Sequence, residues 1–358
     1  HSALLSQTQW AELAESLGED VDDPWAPFDD GSRELELCRK AAARLARPAV
    51  RPPKTIAVPA SLGREHSGSS STQNAFGRFL LDLAHDAPEV ANRVVTVSPD
   101  VASSTNLGGW INRVGVWHAG DRIDWFADDD QRLLRWREGE QGQHIELGIA
   151  EVNMVSLLAE LGSTWSRDGE PLLPIGTLYD PFVTRALEPW SFGIYSGGQS
   201  ILVATPSGVT LAPEGGAHQS IITPSVGLEQ PGCIAWEPAF AQDLEWTLLH
   251  ALSLLGRAGG ESSYFRLTTR ALDQALGAVT DEPAALEERR RQVLAGGYPL
   301  RRSAARPDVT IVAVGAVVPE ALAAAEELEA SSISVDVICL TSPDLVYRAL
   351  RARAGLRA

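Results

Sequence analysis

The chain has 358 residues, of which 44% are hydrophobic, and its formal net charge is −17 at pH 7. This length predicts a globular protein of two or three domains, and the acidic balance argues against binding to nucleic acid or an anionic membrane, which needs a cationic face. The three cysteines, Cys38, Cys233 and Cys339, have no spacing typical of a zinc site or a disulfide framework, and no apolar run is long enough to predict a membrane span, so we expect a reduced, cytoplasmic protein.

The first 71 residues differ in composition from the rest of the chain. Acidic clusters at 19–23 and 29–30 precede a proline-rich piece at 47–53 and a Gly/Ser patch near 67–71. Such segments favour exposed turns over a packed core. We therefore predict an arm or linker with short helices over residues 1–71.

Between residues 72 and 275, short apolar segments alternate with segments of helical length. This alternation predicts one α/β domain with a parallel sheet that is covered by helices on both faces. The predicted strands are 93–97, 172–176, 201–205, 233–236 and 263–268, and the predicted helices are 72–85, 149–161, 181–188 and 239–255. A loop rich in Gly, Asn and Trp is predicted from about residue 100 to 120.

The C-terminal part of the chain predicts a second, smaller α/β unit. Residues 276–306 are charged and rich in arginine, which is typical of a linker with a solvated helix. Residues 307–358 predict strands at 309–314 and 335–340 and helices at 319–330 and 344–351. So few elements cannot close an α/β domain, and we expect this unit to be completed by further sequence or by another chain.

Glu151 lies at the start of a predicted helix, shortly after Gly148. An acidic residue in the first turn is ordinary, because it complements the helix dipole. The phrase 146–151, ELGIAE, nevertheless resembles the transketolase superfamily, and the preceding EGEQGQ at 138–143 is similar to its homodimeric pyruvate dehydrogenase E1 branch. The resemblance implies that Glu151 is a catalytic and cofactor-binding residue, which holds a proton at N1′ of the aminopyrimidine of thiamin diphosphate.

Two further phrases carry the same resemblance. PIGTLYDPF at 174–182 resembles the E1 segment that lays an aromatic ring on the pyrimidine, which implies that Phe182 stacks there and that Tyr179 forms a neighbouring wall. EGGAHQSI at 214–221 resembles the superfamily stretch whose histidine points at the substrate, which implies a catalytic role for His218. Buried core aromatics and a structural or exposed loop histidine remain open as alternatives.

Asp100 closes a predicted strand at its carboxyl end, where open α/β sheets bind ligands. Its position resembles that of an acid which E1 and transketolase relatives keep beside the cofactor, so the resemblance implies a cofactor-binding residue. The E1 phrase carries two adjacent acids, whereas Asp100 is followed by Val101. His118 and His144 lie in or near these segments, and the resemblance assigns no role to either.

The diphosphate half of such a site has no counterpart in the sequence. A Gly-Asp-Gly motif with an Asn about 25 to 30 residues later normally supplies oxygen ligands to Mg²⁺. Neither this pair nor a GxGxxG or GxxxxGK[ST] phosphate loop occurs in the chain. The resemblance therefore implies that another domain or chain binds the diphosphate and Mg²⁺, and that the protein is an oligomer, because sites of this superfamily lie between chains.

The resemblance covers about residues 72–345 and implies a pyrimidine-binding (Pyr) domain followed by the incomplete start of a transketolase C-terminal-like domain. The activity it implies is that of an oxidoreductase: oxidative decarboxylation of a 2-oxo acid such as pyruvate, with acyl transfer to a lipoyl group on a partner E2 protein. One alternative is ketol or acyl transfer of the transketolase or deoxyxylulose-phosphate synthase type, although residues 211–225 contain no Lys or Arg to meet a phosphate. A non-catalytic regulatory subunit is the other.

Overall fold

The computed structural model describes residues 4–46, 51–120, 122–131 and 135–356. The chain divides into two compact units, residues 1–50 and residues 51–358. Residues 51–71, which the sequence analysis assigns to the arm, therefore belong to the second unit.

The regular elements of the described residues are numbered in chain order. The α-helices are α1 (Gln7–Leu17), α2 (Arg33–Leu45), α3 (Thr72–Asp86), α4 (Pro88–Ala91), α5 (Gly108–Val114), α6 (Glu151–Gly162), α7 (Thr164–Arg167), α8 (Val183–Tyr195), α9 (Pro224–Glu229), α10 (Ala241–Leu254), α11 (Pro283–Leu294), α12 (Val318–Ala330) and α13 (Pro343–Arg353). The strands are β1 (Ser69–Ser70), β2 (Val94–Ser98), β3 (Val116–Trp117), β4 (Glu138–Gly139), β5 (His144–Glu146), β6 (Leu173–Leu178), β7 (Ile201–Ala204), β8 (Cys233–Trp236), β9 (Ser262–Arg266), β10 (Leu272–Asp273), β11 (Gly297–Arg301), β12 (Val309–Val314) and β13 (Val335–Leu340). Short 3₁₀-helices lie at Asp180–Phe182, Ala212–Glu214, Gly216–His218, Gln274–Gly277 and Gly315–Val317.

The first unit contains the two helices α1 and α2, and each begins at a serine cap. Ser6 and Gln9 form a capping box, in which each side chain accepts a hydrogen bond from the other residue's backbone N–H. The Ser32 hydroxyl accepts from the N–H of Leu35 at the start of α2. These caps satisfy N–H groups that have no partner within the helix, so the local sequence explains where both helices begin.

An eight-stranded sheet forms the centre of the second unit, in the order β4-β3-β5-β2-β6-β7-β9-β8. All its neighbouring strands are parallel. The α/β class and the parallel sheet expected from the sequence are therefore confirmed. The short strands β3, β4 and β5, at one edge, were not predicted.

Side chains alternate between the two faces of this sheet, and each face has its own core. In β7, Ile201 and Val203 pack with residues of α3, α5 and α10, whereas Leu202 and Ala204 pack with residues of α6, α8 and α9. This alternation follows from the two-residue period of a strand. Because both faces are covered, the central strands are largely apolar and ligands are expected to approach from the strand ends.

Residues 297–301, which the sequence analysis assigns to a linker, form strand β11 of a second sheet. The order of this sheet is β11-β13-β12, with β11 antiparallel and β12 parallel to β13. Pro299 and a register shift interrupt the pairing of β11, and a strand of this composition gives a weak signal in sequence. The predicted loop between 100 and 120 also contains helix α5.

The second sheet packs against the domain that contains the eight-stranded sheet, through contacts between β11 and α10. Tyr298 and Phe240 belong to one apolar cluster, and the Tyr298 hydroxyl donates a 2.8 Å hydrogen bond to Asp243 on α10. Asp243 is only 1% exposed, so this polar contact lies inside the packing. Of the helices in the described ranges, none has the length and apolar character needed to cross a bilayer.

Candidate active site

Glu151 begins α6 after a turn that requires glycine. Gly148 has a φ of +72°, a left-handed conformation that side chains rarely adopt, and Ala150 provides no side-chain cap. The Glu151 carboxylate therefore lies in the first turn, where backbone N–H groups lack helical partners and the helix dipole favours an anion. Glu151 is 6% exposed, so it is largely withdrawn from solvent.

The Glu151 carboxylate forms an ion pair with Arg185, in the first turn of α8. The distance from Arg185 Nη2 to Glu151 Oε1 is 3.0 Å, and the Arg185 side chain is 51% exposed. The same guanidinium lies over the ring of Phe182, with Cζ 4.2 Å from the ring centroid. Arg185 thus joins the predicted acid to the predicted stacking ring. Sequence analysis did not identify it, although a cation three positions after Phe182 was an available signal.

Small residues bring α6 and α8 close together and so place Arg185 within reach of Glu151. A Cβ atom added at Gly193 of α8 would lie 2.6 Å from the Cβ of Ala159 on α6, which is too close for any real side chain. The loop after α8 is equally close, since a Cβ at Gly198 would lie 2.8 Å from backbone atoms of Ala159. The separation of the two helices is therefore set by residues that have little or no side chain.

Tyr179, Phe182 and His218, all predicted from motifs, meet in one cluster. The ring centroids of Tyr179 and Phe182 are 6.1 Å apart in a stacked arrangement, and the His218 ring lies 5.8 Å from each of them, edge on. Tyr179 follows strand β6, Phe182 ends the next 3₁₀-helix and His218 ends a later one. Tyr179 and Phe182 are half-buried, so neither is a fully enclosed core aromatic.

One ring nitrogen of His218 is buried without a partner. Among the residues that the structure describes, Nδ1 has no hydrogen bond, whereas Nε2 lies 3.8 Å from a carboxylate oxygen of Glu214. Leaving a buried nitrogen unpaired is costly in a folded protein, and such atoms are suited to ligand contacts. The hydroxyl of Tyr179 does have a partner, because it donates a 2.9 Å hydrogen bond to Ser104.

A buried network of charged and polar side chains, which was not predicted from the sequence, adjoins this cluster. Its centre is Asp180, between Tyr179 and Phe182 in the chain and 0% exposed. The Asp180 carboxylate accepts hydrogen bonds from Ser220, from Thr223 at 2.7 Å, from Tyr264 at 2.6 Å and from Arg266 at 3.4 Å. Since Ser220 is two residues after His218, the network fixes the loop of the histidine to the strand end of the aromatic rings.

Arg266 lies between the carboxylates of Asp180 and Glu237 and pairs with both. Burial opposes the positive charge of Arg266, but the two carboxylates outweigh it and raise the pKa of the guanidinium. Burial also raises the pKa of Glu237 in spite of Arg266, and it raises the pKa of Tyr264 well above the usual range. Tyr264 therefore stays a hydroxyl donor to Asp180.

Asp100 lies at the carboxyl end of β2, as predicted, and lines a cavity there. This cavity of about 460 Å³ is lined in part by Asp100, His118, His144 and Glu146. The φ of Asp100 is +66°, and its N–H donates a 2.6 Å hydrogen bond to Glu146. Within the described ranges, no hydrogen bond or ion pair joins Asp100 directly to Glu151, Phe182 or His218. A cofactor role for Asp100 stays a prediction.

The two histidines of uncertain role line the same cavity and differ in burial. His144 is fully buried, with Nδ1 2.9 Å from the Thr96 hydroxyl and Nε2 2.9 Å from Glu146. Both its nitrogens are engaged, so His144 positions Glu146. His118 is half-buried and lines the cavity, and its Nδ1 lies 3.1 Å from the carbonyl of Gly120.

Comparison with known proteins decides the family. The sequence model described as "Pyruvate dehydrogenase E1 component middle domain" matches residues 53–271, which is more than half of the chain. The chain belongs to this E1 middle-domain family. A second model, described as "Transketolase, C-terminal domain", matches residues 298–354 of the same E1-type chain. The predicted resemblance to the transketolase superfamily, and to its E1 branch in particular, is confirmed.

Individual relatives carry the name pyruvate dehydrogenase E1 component. The one from Cupriavidus necator is 25% identical over 321 residues, which is 86% of this chain and 35% of the relative. The one from Mycolicibacterium smegmatis is 26% identical over 301 residues, which is 81% of this chain and 32% of the relative. The E1-type chain therefore spans about a third of the length of the curated relatives it matches.

Solved transketolase structures share the fold of the E1-type chain. Transketolase from Campylobacter jejuni superposes with a TM-score of 0.65 and 18% identity, covering 96% of this chain and 49% of that one. Transketolase from Leishmania mexicana superposes with a TM-score of 0.67 and 17% identity, covering 95% of this chain and 47% of that one. At this identity the likeness shows the fold, which confirms the predicted Pyr and C-terminal-like architecture.

The residues of the candidate site suit the aminopyrimidine half of thiamin diphosphate. A buried carboxylate at Glu151, the half-buried ring of Phe182 and the unpaired Nδ1 of His218 suit an aminopyrimidine with a substrate beside it. No group of three or more His, Cys, Asp or Glu side chains in the described part of the chain is arranged to hold a metal ion.

Proposed function

We propose that this chain supplies the pyrimidine half of a thiamin diphosphate site and takes part in the oxidative decarboxylation of a 2-oxo acid of the pyruvate type. The observation that carries the proposal is that Arg185 joins Glu151 to Phe182 and that His218 lies beside Phe182, which places a buried carboxylate, an aromatic face and an unpaired imidazole nitrogen in one chain of contacts. Membership of the E1 middle-domain family supports it.

Each residue would have a distinct role. Glu151 would bind N1′ of the aminopyrimidine through its carboxylate and hold a proton there, and Phe182 would cover one face of the ring. The Nδ1 of His218 would bind the substrate carboxylate or the alkoxide that develops from its 2-oxo group. When bound, thiamin diphosphate supplies the nucleophilic carbon and the electron sink that decarboxylation requires.

The proposal requires partners. A diphosphate-binding domain or chain would supply the Mg²⁺ ligands, which makes an oligomer, and a lipoyl group on an E2 protein would accept the acyl group. The relatives, of whose length this chain matches about a third, support the first requirement, and the second rests on the proposed reaction alone. A cytoplasmic location remains part of the proposal on the basis of the unpaired cysteines.

Two other functions use the same fold. Ketol transfer is favoured by the similarity to transketolase structures, but a sugar phosphate needs a cation, and residues 211–225 contain no Lys or Arg. A regulatory subunit without turnover is favoured by the ion pair that already engages Glu151. The experiment below distinguishes both from the proposed reaction.

The test combines the intact chain with a diphosphate-binding E1 domain, thiamin diphosphate and Mg²⁺, and follows pyruvate decarboxylation with a dye as electron acceptor. We expect turnover that falls about a hundredfold or more in Glu151→Gln, since a proton relay contributes on that scale. Glu160→Gln is the matched control, because Glu160 lies on the same helix, is exposed and pairs only with Arg167 in the described residues.

Three results would contradict the proposal. Turnover that is unchanged in Glu151→Gln would remove the glutamate from the chemistry. Turnover with a ketose phosphate in place of pyruvate would favour ketol transfer. A chain that never supports decarboxylation, yet changes the rate of a complete E1 enzyme, would be a regulatory subunit.

A further inference from the structure

We propose that Arg185 is an internal competitor for the pyrimidine half-site, so that the aminopyrimidine must displace its guanidinium group from Glu151 and Phe182. This inference rests on the proposed function, because it concerns the same carboxylate and the same ring. It adds that Arg185 sets the affinity of this site for the aminopyrimidine.

The guanidinium makes the two contacts that an aminopyrimidine would need. Its Nη2 lies 3.0 Å from Glu151 Oε1, and its Cζ lies 4.2 Å from the centroid of the Phe182 ring. A guanidinium is planar, presents N–H donors at its edge and stacks on aromatic rings. An aminopyrimidine also has a flat face and nitrogen atoms at its edge, so both groups compete for the same pair of partners.

The contacts of Arg185 are few enough to be exchanged. In the part of the chain that the structure describes, its guanidinium has no ion pair or hydrogen bond besides the pair with Glu151. Half of the side chain is exposed, which leaves a path into solvent. Arg185 also lies in the first turn of α8, where the helix dipole disfavours a cation. Its position therefore depends on Glu151 and Phe182, the two groups that a ligand would take.

Glu151 is more enclosed than Arg185. Glu151 is 6% exposed and belongs to α6, whose close approach to α8 leaves no room around Ala159 and Gly193. Of the two side chains, Arg185 is therefore the one with a path into solvent. In the free protein Arg185 neutralises the buried carboxylate of Glu151, which would otherwise be unpaired. In the complex the aminopyrimidine would be the partner of this carboxylate.

The experiment measures binding of 4-amino-5-hydroxymethyl-2-methylpyrimidine, the pyrimidine half alone, to the full chain by calorimetry. We expect Arg185→Met to bind it about tenfold more tightly than the natural chain, which is the effect of losing one half-exposed ion pair and one cation–π contact. Arg185→Lys keeps the charge without the flat stacking face and should lie between the two. Arg167→Met, which removes an exposed cation near α6, is the matched control and should change nothing.

A measurement on the unmodified chain covers the case in which Arg185→Met fails to fold. Raising NaCl from about 0.05 M to about 0.5 M screens the exposed guanidinium, so binding of the probe should become tighter in the natural chain and not in Arg185→Gln, which keeps Glu151 and lacks the guanidinium. Binding that weakens or stays constant with salt in the natural chain would overturn the inference.

The failure of this inference can be distinguished from the failure of the proposed function. Equal or weaker binding by Arg185→Met, with binding still abolished by Glu151→Gln, overturns competition by Arg185 and leaves the pyrimidine half-site standing. Binding that Glu151→Gln does not weaken, in either the natural or the Arg185→Met background, overturns both.

Discussion

The hydroxyl of Ser220 donates a hydrogen bond to the buried carboxylate of Asp180, and this contact attaches the loop that carries His218 to the strand end that carries Tyr179. The two residues are 40 positions apart in the chain. The same Ser220 hydroxyl accepts a 3.0 Å hydrogen bond from the N–H of Gly208, which closes the base of the loop. The position of the histidine therefore depends on a polar contact in the interior.

Replacing Ser220 by Ala should loosen this loop. The change leaves an acceptor position of Asp180 and the N–H of Gly208 without their partner, at a cost of about 1 to 3 kcal/mol in the free energy of unfolding. Amide hydrogen exchange should become faster between Gly208 and Thr223. Ser225→Ala is the control, because that hydroxyl is exposed and bonds only the carbonyl of Ile222 in the described residues. Equal exchange in both variants would show that Asp180 does not hold the loop.

Removing the cation of the buried network should destabilise the protein far more than removing an exposed cation. Arg266→Met leaves Asp180 and Glu237 in the interior without their shared partner, and we expect a loss of about 3 to 5 kcal/mol in urea unfolding at pH 7. Arg270→Met is a close control, since its pair with Glu320 is about half-exposed and should contribute about 0 to 1 kcal/mol. Losses of similar size in the two variants would contradict the assignment of Arg266 to a buried network.

Adding one methyl group at Gly193 should separate α6 from α8. The new Cβ would lie 2.6 Å from that of Ala159, so Gly193→Ala should cost about 1 to 3 kcal/mol by overpacking. The pair of Glu151 with Arg185 should lengthen with it, which a crystal structure of the variant would measure. Gly139→Ala provides the comparison, because its Cβ would meet no atom within 4 Å. An unchanged separation of the helices would contradict the role given to Gly193.

Asp243 should make the free energy of unfolding depend on pH. Burial raises the pKa of Asp243 to about 7, although the hydrogen bond from Tyr298 and the charge of Arg289 oppose the rise. In an unfolded chain the pKa of aspartate is about 3.9. Between about pH 4 and pH 7 the folded state therefore binds more protons than the unfolded state, and the contribution of Asp243 to stability falls as the pH rises through this window.

The variant Asp243→Asn isolates this effect, because an amide keeps the shape and does not titrate. Relative to the natural chain, the variant should gain about 2 to 4 kcal/mol in unfolding free energy between pH 4 and pH 8, measured by urea unfolding. Parallel pH dependences of the two proteins would show that Asp243 titrates normally in the folded state.

The sequence predicts the long buried elements of this fold well and the short ones poorly. Strands β8, β12 and β13 have the bounds expected from their apolar runs, because a continuous apolar run of this length is typical of a strand. Strands β3, β4 and β5 have two or three residues each, and their pairing is set by partners elsewhere in the sheet. Strand β11 contains Gly297 and Pro299, which indicate a turn when they are read locally.

The candidate site also contains residues that the sequence predicts and residues that it does not. Motifs identified Glu151, Tyr179, Phe182 and His218, and the structure brings the last three into one cluster and links Glu151 to it through Arg185. The position of Arg185 three residues after Phe182 was a local signal for its contact with the ring, but its ion pair with Glu151 had no such signal, since it depends on how closely two helices pack. The partnership of Asp180 with Arg266 spans 86 positions, and no local pattern indicates it.

The measurement that tests the central claim most directly is the exchange of the C2 proton of bound thiamin diphosphate with deuterium, followed by NMR after rapid acid quench. The natural chain, combined with a diphosphate-binding E1 domain and Mg²⁺, should accelerate this exchange. Glu151→Gln should reduce the rate about a hundredfold or more, and the exposed control Glu160→Gln should leave it unchanged. An exchange rate in Glu151→Gln equal to that of the natural chain would contradict the account.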